Sequence, residues 1–342
     1  MNAHILIVYA GGTIGMWEDP ETGTLIPLNL NELTKFLPEL KGLQVSWDGI
    51  SLKRPIDSSE LSPEVWYEIA DIISVNYHNY DGFVLMHGTD TMAYTSSALS
   101  FMLEGLRKPV IVTGSQLPLG RLRTDGKENF ITAIEIAAMR NEDGPIVQEV
   151  AICFGNKLMR GNRAWKANTE IFDAIESPNY PALANIGTHI VFNHHLLLRS
   201  ERAFRVNKHL VEGVGVIKLY PGILPSTIAY ALSRPDLKVC IVESYGAGNV
   251  PNTPAFLKAF DEAIARGISI INLSQCRKGS VDPSLYKTGK TFADLGVIFG
   301  NDLTFEAAIT KSMFLLGKNL SQEDFRTELL SNYAGEVSAN QS

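Results

Sequence analysis

The sequence predicts two α/β domains, a larger one with a parallel-type sheet flanked by helices and a smaller C-terminal one. At 342 residues, the chain is long for a single hydrophobic core. Apolar runs typical of buried strands alternate with segments whose apolar residues recur every three or four positions, as in amphipathic helices. A polar and irregular stretch at 191–213 interrupts this alternation. We therefore predict domains at 1–190 and 214–342, joined by a linker at 191–213.

The N-terminal domain shows the β and α alternation most clearly. Its predicted strands cover 4–9, 82–87, 109–114 and 149–155, with another strand-like segment near 50–54. Its predicted helices cover 63–77, 92–107 and 127–141. The first helix has a strong start signal, because Ser62 can cap it and Pro63 suits the first helical position. This order predicts a parallel sheet that is covered by helices on both faces.

The alternation resumes in the second half of the chain. Predicted strands there cover 215–219, 239–242 and 268–273, and predicted helices cover 224–233, 254–266, 303–316 and 321–331. This pattern predicts a second, smaller α/β domain.

Composition and charge exclude several classes of protein. The formal net charge is −7 and no run of lysine or arginine contradicts it, so we expect no nucleic-acid partner and no anionic membrane partner. No apolar stretch approaches the ~18 residues of a membrane span. The first apolar run ends at Gly11, and this run is too short for the apolar part of a signal peptide. We therefore expect a cytoplasmic protein. Cys153, Cys240 and Cys276 lie far apart, which favours buried free thiols over disulfides or a zinc site.

Two threonines stand just past a glycine at the carboxyl end of a predicted strand. Thr13 follows Gly11-Gly12, and Thr89 follows Gly88. Open α/β sheets hold their ligands at this edge, and a threonine hydroxyl becomes a nucleophile once a base removes its proton. The spacing of the glycines around Thr13 is not that of a dinucleotide-binding loop. The alternatives are an ordinary tight turn at Thr13 and a helix cap formed by the residues after Thr89.

Two further segments carry polar groups that suit such a site. Asp57-Ser58-Ser59 follows the strand-like segment near 50–54, and its hydroxyls and amides suit a small carboxylate, although an ordinary Asx or Ser turn is the alternative. Lys166 lies in a polar segment after the strand at 149–155. A lysine is usually a solvated surface residue, but one that is desolvated near Thr89 and Asp90 can act as a base toward a hydroxyl.

These four segments, in this order and at these separations, resemble the type I (cytoplasmic) L-asparaginases. The resemblance extends over most of the chain and also includes 81–83, 98–104, 108–116, 160–163, 219–223 and 244–249. It implies hydrolysis of the side-chain amide of L-asparagine to L-aspartate and ammonia, through an acyl-enzyme and without a metal or organic cofactor.

The resemblance also assigns roles to individual residues. Those assigned to catalysis are Thr13, Thr89, Asp90, Lys166 and Tyr286. Those assigned to substrate binding are Asp57, Ser58, Ser59, Thr89, Asp90 and Asn249. In the family the active site lies between two subunits, which implies a homo-oligomer (dimer or tetramer) in which Asn249 contacts the substrate bound by its neighbour. Thr13 is then the nucleophile.

Three positions depart from the family pattern. Leu25 stands where many relatives have a catalytic tyrosine, so either Tyr286 supplies a phenol or Lys166 and Thr89 carry more of the proton transfer. Trp165 and Glu243 replace a threonine and an arginine of the effector site found in a bacterial subgroup, which argues against allosteric binding of asparagine by that route.

The sequence leaves open two other functions. A glutaminase or a mixed glutaminase-asparaginase differs by one methylene in the substrate, which motifs do not resolve. A non-catalytic amino-acid-binding regulator on the same scaffold is the third hypothesis. It is disfavoured because a decayed enzyme should have lost at least one of Thr13, Thr89, Asp90 and Lys166.

Overall fold

The computed structural model describes residues 3–18, 25–27, 30, 33 and 37–338. The chain divides into two compact units, Met1–Lys208 and His209–Ser342. The domain boundaries given above stay a prediction.

The first unit contains a large sheet, three α-helices and several short hairpins among the described residues. Its strands are β1 (His4–Gly11), β2 (Met16–Glu18), β3 (Leu25–Pro27), β4 (Ser46–Ile56), β5 (Gly82–Met86), β6 (Leu103–Glu104), β7 (Val110–Thr113), β8 (Arg140–Asn141), β9 (Gly144–Pro145), β10 (Val150–Phe154), β11 (Lys157–Arg160), β12 (Trp165–Lys166), β13 (Ile175–Glu176), β14 (Ala184–Ile186), β15 (Ile190–Phe192) and β16 (Arg205–Val206). Its α-helices are α1 (Pro63–Asn76), α2 (Met92–Met102) and α3 (Gly126–Ala138).

The large sheet has the order β15-β14-β11-β10-β7-β5-β1-β4. Neighbouring strands from β10 to β4 pair in parallel, which confirms the predicted fold class. In β1, Ile5, Leu6, Ile7 and Val8 are fully buried, as expected for a parallel strand that is covered on both faces. The strands β11, β14 and β15 extend the sheet with antiparallel pairing, which the sequence pattern did not predict.

Two local details of the first unit differ from expectation. The predicted helix at 92–107 ends at Met102, because Leu103–Glu104 pairs with Arg205–Val206 as the ladder β6–β16. The next residue, Gly105, has a φ of 69°. Ser62 does occupy the N-cap position of α1, but its side chain makes no capping hydrogen bond.

The second unit contains one parallel sheet with helices around it. Its strands are β17 (Val214–Lys218), β18 (Val239–Ser244), β19 (Ser269–Ser274) and β20 (Ile298–Phe299), in that spatial order. Its helices are α4 (Pro225–Leu232), α5 (Pro254–Ala265), α6 (Lys287–Asp294), α7 (Phe305–Leu316) and α8 (Gln322–Leu330). Helix α6 was not predicted. None of the helices in the described ranges combines the length and apolar character needed to cross a membrane.

Candidate active site

Three loops converge at the carboxyl edge of the large sheet. The Gly12 amide, after β1, donates a hydrogen bond to the Ile56 carbonyl at 3.1 Å, at the end of β4. Gly12 has a φ of 83°, and a Cβ on it would clash with the backbone of Gly88, which follows β5. A Cβ on Gly88 would in turn lie 2.5 Å from Ser58 Oγ. Glycine is therefore required where the backbones meet, and this brings the threonine loops together.

Thr13 lies on a short 3-10 turn, Thr13–Gly15, directly after β1. The Tyr9 hydroxyl donates to the Gly15 carbonyl at 3.1 Å, and the Tyr9 ring fills the space that a side chain at Gly15 would need. Burial raises the pKa of Tyr9 to about 12, so its phenol remains a hydrogen-bond donor at neutral pH. The turn that presents Thr13 is thus anchored from the core.

Lys166 links the two polar groups of the Thr89 loop. Its Nζ lies 2.8 Å from Thr89 Oγ1 and 2.5 Å from Asp90 Oδ1. The lysine side chain is only 17% exposed, whereas that of Asp90 is 61% exposed. An ammonium group can only donate hydrogen bonds, so both oxygens accept from it. The structure therefore brings Lys166, Thr89 and Asp90 together on one hydrogen-bonded path.

The helix-cap alternative for the Thr89 loop is confirmed in position, but the side-chain capping hydrogen bond that it predicts is absent. Thr91 is the N-cap residue of α2, but its side chain makes no capping hydrogen bond. Its hydroxyl instead donates to the Ser58 carbonyl at 2.8 Å, while Asp90 pairs with Lys166. The polar side chains of this loop are used for contacts across the strand ends.

Asp57, Ser58 and Ser59 form the Asx turn that was the alternative to a carboxylate-binding segment. Asp57 Oδ1 accepts hydrogen bonds from the amide and the hydroxyl of Ser59, both at 2.9 Å. These two donors hold the pKa of Asp57 below its usual value, so an exposed carboxylate stays charged here. Ser58 is buried beside Gly88. The turn geometry is compatible with substrate binding.

Gln116 is a contact of Thr89 to which the sequence analysis gave no role. Thr89 Oγ1 donates to Gln116 Oε1 at 3.3 Å, and Gln116 Nε2 donates to the Ile171 carbonyl at 3.2 Å. A sequence signal did exist, since Gln116 follows the end of β7 as closely as Thr89 follows the end of β5.

The sequence analysis gave no role to His87 either, and this buried residue contacts the start of the same loop. Trp66 Nε1 donates to Thr95 Oγ1 at 3.0 Å, and Thr95 Oγ1 lies 2.9 Å from His87 Nε2. The other ring nitrogen, Nδ1, lies 2.7 Å from the Gly88 carbonyl. This arrangement fits a neutral imidazole whose Nδ1–H donates to Gly88, and burial lowers the pKa of His87 to about 4.

Asn249 and Tyr286 belong to the second unit, so their contribution to a site stays a prediction. Asn249 Oδ1 accepts from Thr288 Oγ1 at 2.8 Å, which leaves the amide nitrogen to face away from that contact. Tyr286 directly precedes α6 and is 58% exposed.

The positions that depart from the family pattern are also placed. The backbone of Leu25 pairs with that of Glu18, and its side chain lies outside the described residues. Trp165 directly precedes Lys166 on β12. Glu243 is buried at the end of β18, with Lys218 Nζ at 3.6 Å and an Arg277 nitrogen at 3.8 Å.

A cleft opens beside the lysine. Its volume is about 410 Å³, and it is lined by Lys166 and by the connection that follows it, residues 167–170. Lys166 thus borders open space while its ammonium group contacts Thr89 and Asp90.

Comparison with known proteins finds relatives that match nearly the whole chain. The family profile described as "Asparaginase, N-terminal" matches residues 4–198, and "Glutaminase/Asparaginase C-terminal domain" matches residues 213–329. L-asparaginase 1 of Escherichia coli (strain K12) is 43% identical over 335 residues, which cover 97% of each chain. The crystal structure of L-asparaginase I from Vibrio cholerae superposes with a TM-score of 0.89 at 38% identity, covering 99% of this chain and 100% of that one. The thermostable L-asparaginase from Thermococcus kodakarensis gives a TM-score of 0.90 at 29% identity, covering 98% and 100%. This chain belongs to the asparaginase family.

Proposed function

We propose that this protein is an L-asparaginase, which hydrolyses L-asparagine to L-aspartate and ammonia. The observation that carries the proposal is the placement of Lys166, bonded at once to the Thr89 hydroxyl at 2.8 Å and to Asp90 at 2.5 Å. The glycine loop presents Thr13 at the same sheet edge. The Escherichia coli relative with 43% identity over nearly the full chain carries the same activity in its name.

In the first step Thr13 acts as the nucleophile. Its hydroxyl oxygen bonds to the side-chain amide carbon of asparagine, the carbon–nitrogen bond breaks, and the hydroxyl proton leaves with the nitrogen as ammonia. The product on the enzyme is an aspartyl ester of Thr13. The proton needs a carrier, for which the candidates are Tyr286 of a neighbouring subunit and the Thr89–Lys166 pair.

In the second step water hydrolyses the ester. Water oxygen bonds to the ester carbon, the bond to the Thr13 oxygen breaks, and that oxygen regains a proton. We assign Thr89 and Lys166 to proton transfer with the attacking water, because the threonine hydroxyl can both accept and donate. An oxyanion hole for the tetrahedral intermediate needs backbone amide donors, and those near Gly12 and Thr89 are the candidates. The Gly12 amide donates to Ile56 instead, which leaves the Thr89 amide as the proposed donor.

The ends of the substrate are assigned by charge. The α-ammonium group fits the carboxylates of Asp57 and Asp90, both of which lie on loops at the sheet edge. The α-carboxylate needs donors, and Ser58 offers a hydroxyl there. Ser59 already donates to Asp57, so in this proposal it acts by fixing that carboxylate.

We also propose that the active form is an oligomer, at least a dimer and by resemblance a tetramer. The residues proposed for acyl transfer all lie in the first unit, whereas Asn249 and Tyr286 lie in the second. A symmetric pair of subunits could complete two equivalent sites, each with the second unit of the neighbour.

We assign the protein to the cytoplasm. The support is the state of its cysteines: Cys153, Cys240 and Cys276 are all free thiols. Cys153 and Cys240 are buried as expected, whereas Cys276 is exposed, so its predicted burial is wrong. Burial raises the pKa of Cys153 and of Cys240 to about 12, so neither is a reactive thiolate at neutral pH. Free thiols are typical of a reducing compartment.

The test is ammonia release by the purified chain, measured separately with L-asparagine and L-glutamine. We expect kcat/KM to favour asparagine, by a factor within the ~10–200 that one methylene allows. A preference for glutamine would make the protein a glutaminase. Binding of asparagine by calorimetry, with no ammonia from either amide, would favour the regulator hypothesis and overturn the proposed activity.

A further inference from the structure

We infer that Gln116 is a positioning residue for Thr89: it fixes the direction in which the Thr89 hydroxyl hydrogen points. The inference rests on the proposed function, since it concerns the threonine and the lysine to which proton transfer is assigned. It follows from the donors and acceptors that surround one amide group.

The orientation of the Gln116 amide is set by its partners. Its neighbour at 3.2 Å is the Ile171 carbonyl, which can only accept, so the amide nitrogen must face Ile171. The amide oxygen then faces Thr89 Oγ1, at 3.3 Å. An amide oxygen cannot donate, so the Thr89 hydroxyl has to donate to it.

Lys166 imposes the same direction from the other side. Its ammonium group cannot accept a hydrogen bond, so the Thr89 oxygen accepts from Nζ at 2.8 Å. The hydrogen bonds therefore run one way, from Lys166 through Thr89 and Gln116 to Ile171. In this arrangement the Thr89 hydroxyl hydrogen points away from the lysine.

The backbone of Gln116 is held as firmly as its side chain. Its amide donates to both carboxylate oxygens of Asp125, at 3.1 and 3.0 Å, and the Leu117 amide donates to Asp125 Oδ1 at 3.1 Å. Asp125 is the N-cap residue of α3, so a helix end fixes this loop relative to the sheet.

Gln116 also ties the segment that carries the lysine to Thr89. Lys166 lies on β12, and Ile171 lies in the connection between β12 and β13. The Ala167 amide bonds to the Ala174 carbonyl at 2.8 Å and closes this hairpin. One glutamine side chain therefore contacts Thr89 and, through Ile171, the hairpin of Lys166.

This geometry has a chemical consequence for the proposed reaction. Before Thr89 can give its proton to a neutral Lys166, its hydrogen must turn from Gln116 toward Nζ. A glutamate at position 116 would still accept from Thr89, but it would lose the donor to Ile171 and place a negative charge near the ammonium group. That charge favours the protonated lysine, so higher pH would be needed to deprotonate it.

Two substitutions test the inference. Gln116→Met keeps the length and removes both hydrogen bonds. Because the Thr89 side chain is then no longer held beside Lys166, we expect kcat to fall about tenfold with KM changed less than about twofold. Gln116→Glu should move the midpoint of the ascending limb of the kcat–pH profile, where activity rises with pH, upward by about one pH unit. The matched control is Gln148→Met, because Gln148 is a part-buried glutamine of the same unit that bonds the Pro145 carbonyl at 3.3 Å. Gln148→Met should leave kcat, KM and the midpoint of the pH profile unchanged.

Two outcomes would overturn the role of Gln116: kcat of Gln116→Met within twofold of the unaltered protein, or an unshifted profile for Gln116→Glu. An unaltered protein without amidase activity would count against the proposed function instead. The positioning is then tested by a crystal structure of Gln116→Met, in which we expect Thr89 Oγ1 to leave its contact with Lys166. An unmoved Thr89 hydroxyl would show that Gln116 does not position it.

Discussion

Lys166 and Lys311 both form short ion pairs, but in opposite surroundings. Lys311, on α7, is fully buried with its partner Glu336, and its Nζ lies 2.5 Å from Glu336 Oε1. It also donates to the carbonyls of Leu329 and Ser331, at 2.8 and 2.5 Å. Lys166 has one hydroxyl and one largely exposed carboxylate as partners.

The difference separates a lysine held by structural acceptors from one whose partners belong to the candidate site. The three acceptors of Lys311 are two carbonyls and a carboxylate, and Glu336 is itself held by the amides of Tyr333 and Ala334. A neutral side chain at 311 would leave a buried carboxylate without its cation, which is costly. Around Lys166, the Thr89 hydroxyl can both donate and accept, and the Asp90 side chain is largely exposed.

Exchange of each lysine for methionine should affect activity in one case and stability in the other, and this is the largest effect we expect. Lys166→Met should lower kcat by about 10³-fold, because the proposed proton acceptor is gone. Lys311→Met should lower the free energy of unfolding by about 3–5 kcal/mol, because Glu336 stays buried and unpaired. Urea denaturation and ammonia release, measured on both variants, give the two quantities.

The matched control for both is Lys157→Met, since Lys157 pairs with Asp173 at 3.3 Å on the surface. It should change the free energy of unfolding by less than about 1 kcal/mol and leave kcat unchanged. The distinction fails if Lys311→Met is as stable as this control, or if Lys166→Met is as active.

The sequence predicted four strands of the parallel core, β1, β5, β7 and β10, because each is a continuous apolar run. The edge strand β4 is polar and mostly exposed, and only its part near 50–54 was predicted. Residues of β1 such as Leu6 and Val8 are fully buried, so the pattern and the environment agree. The antiparallel strands β11, β14 and β15 have only three or four residues each, too few for a pattern. Helix α6 was missed because its sequence is polar, with Phe292 as its buried large side chain.

The residue types of the candidate site could be predicted, but its hydrogen-bond directions could not. Thr89, Asp90 and Lys166 belong to motifs whose chemistry is visible in the sequence. The role of Gln116 depends on the Ile171 carbonyl, 55 residues further along the chain, and that of His87 depends on Thr95. A backbone carbonyl has no sequence signature, so these contacts appear only when the chain is folded.

His87 adds a third titratable group, in which burial favours the neutral form. Its pKa is lowered to about 4 from 6.5. Below pH 6.5 the unfolded chain takes up a proton that the folded one does not, so stability falls with falling pH until the folded pKa is reached. From pH 7 to pH 5 we expect the free energy of unfolding to fall by about 2 kcal/mol on account of this group.

The measurement is urea denaturation at pH 7 and pH 5 for the unaltered chain and for His87→Gln. The variant should lose about 2 kcal/mol less between the two pH values, whatever its stability at pH 7. A change with pH of equal size in both proteins would contradict a neutral, buried His87. His78→Gln, at an exposed histidine of the same unit, is the control that should reproduce the unaltered slope.

The smallest effect expected is a partial recovery of activity when two inactive variants are mixed. Thr13→Ala removes the proposed nucleophile from the first unit, and Asn249→Ala removes a proposed substrate contact from the second. If each site combines the first unit of one subunit with the second unit of its neighbour, a heterodimer has one intact site and one doubly defective site. Random exchange makes about half of the dimers mixed, so about a quarter of the sites should be active.

Mixing the two variants under subunit-exchange conditions, followed by an ammonia assay, measures this recovery. An active monomer in sedimentation, or no recovery after proven exchange, would show that each chain completes its own site, and Asn249 would then need another role.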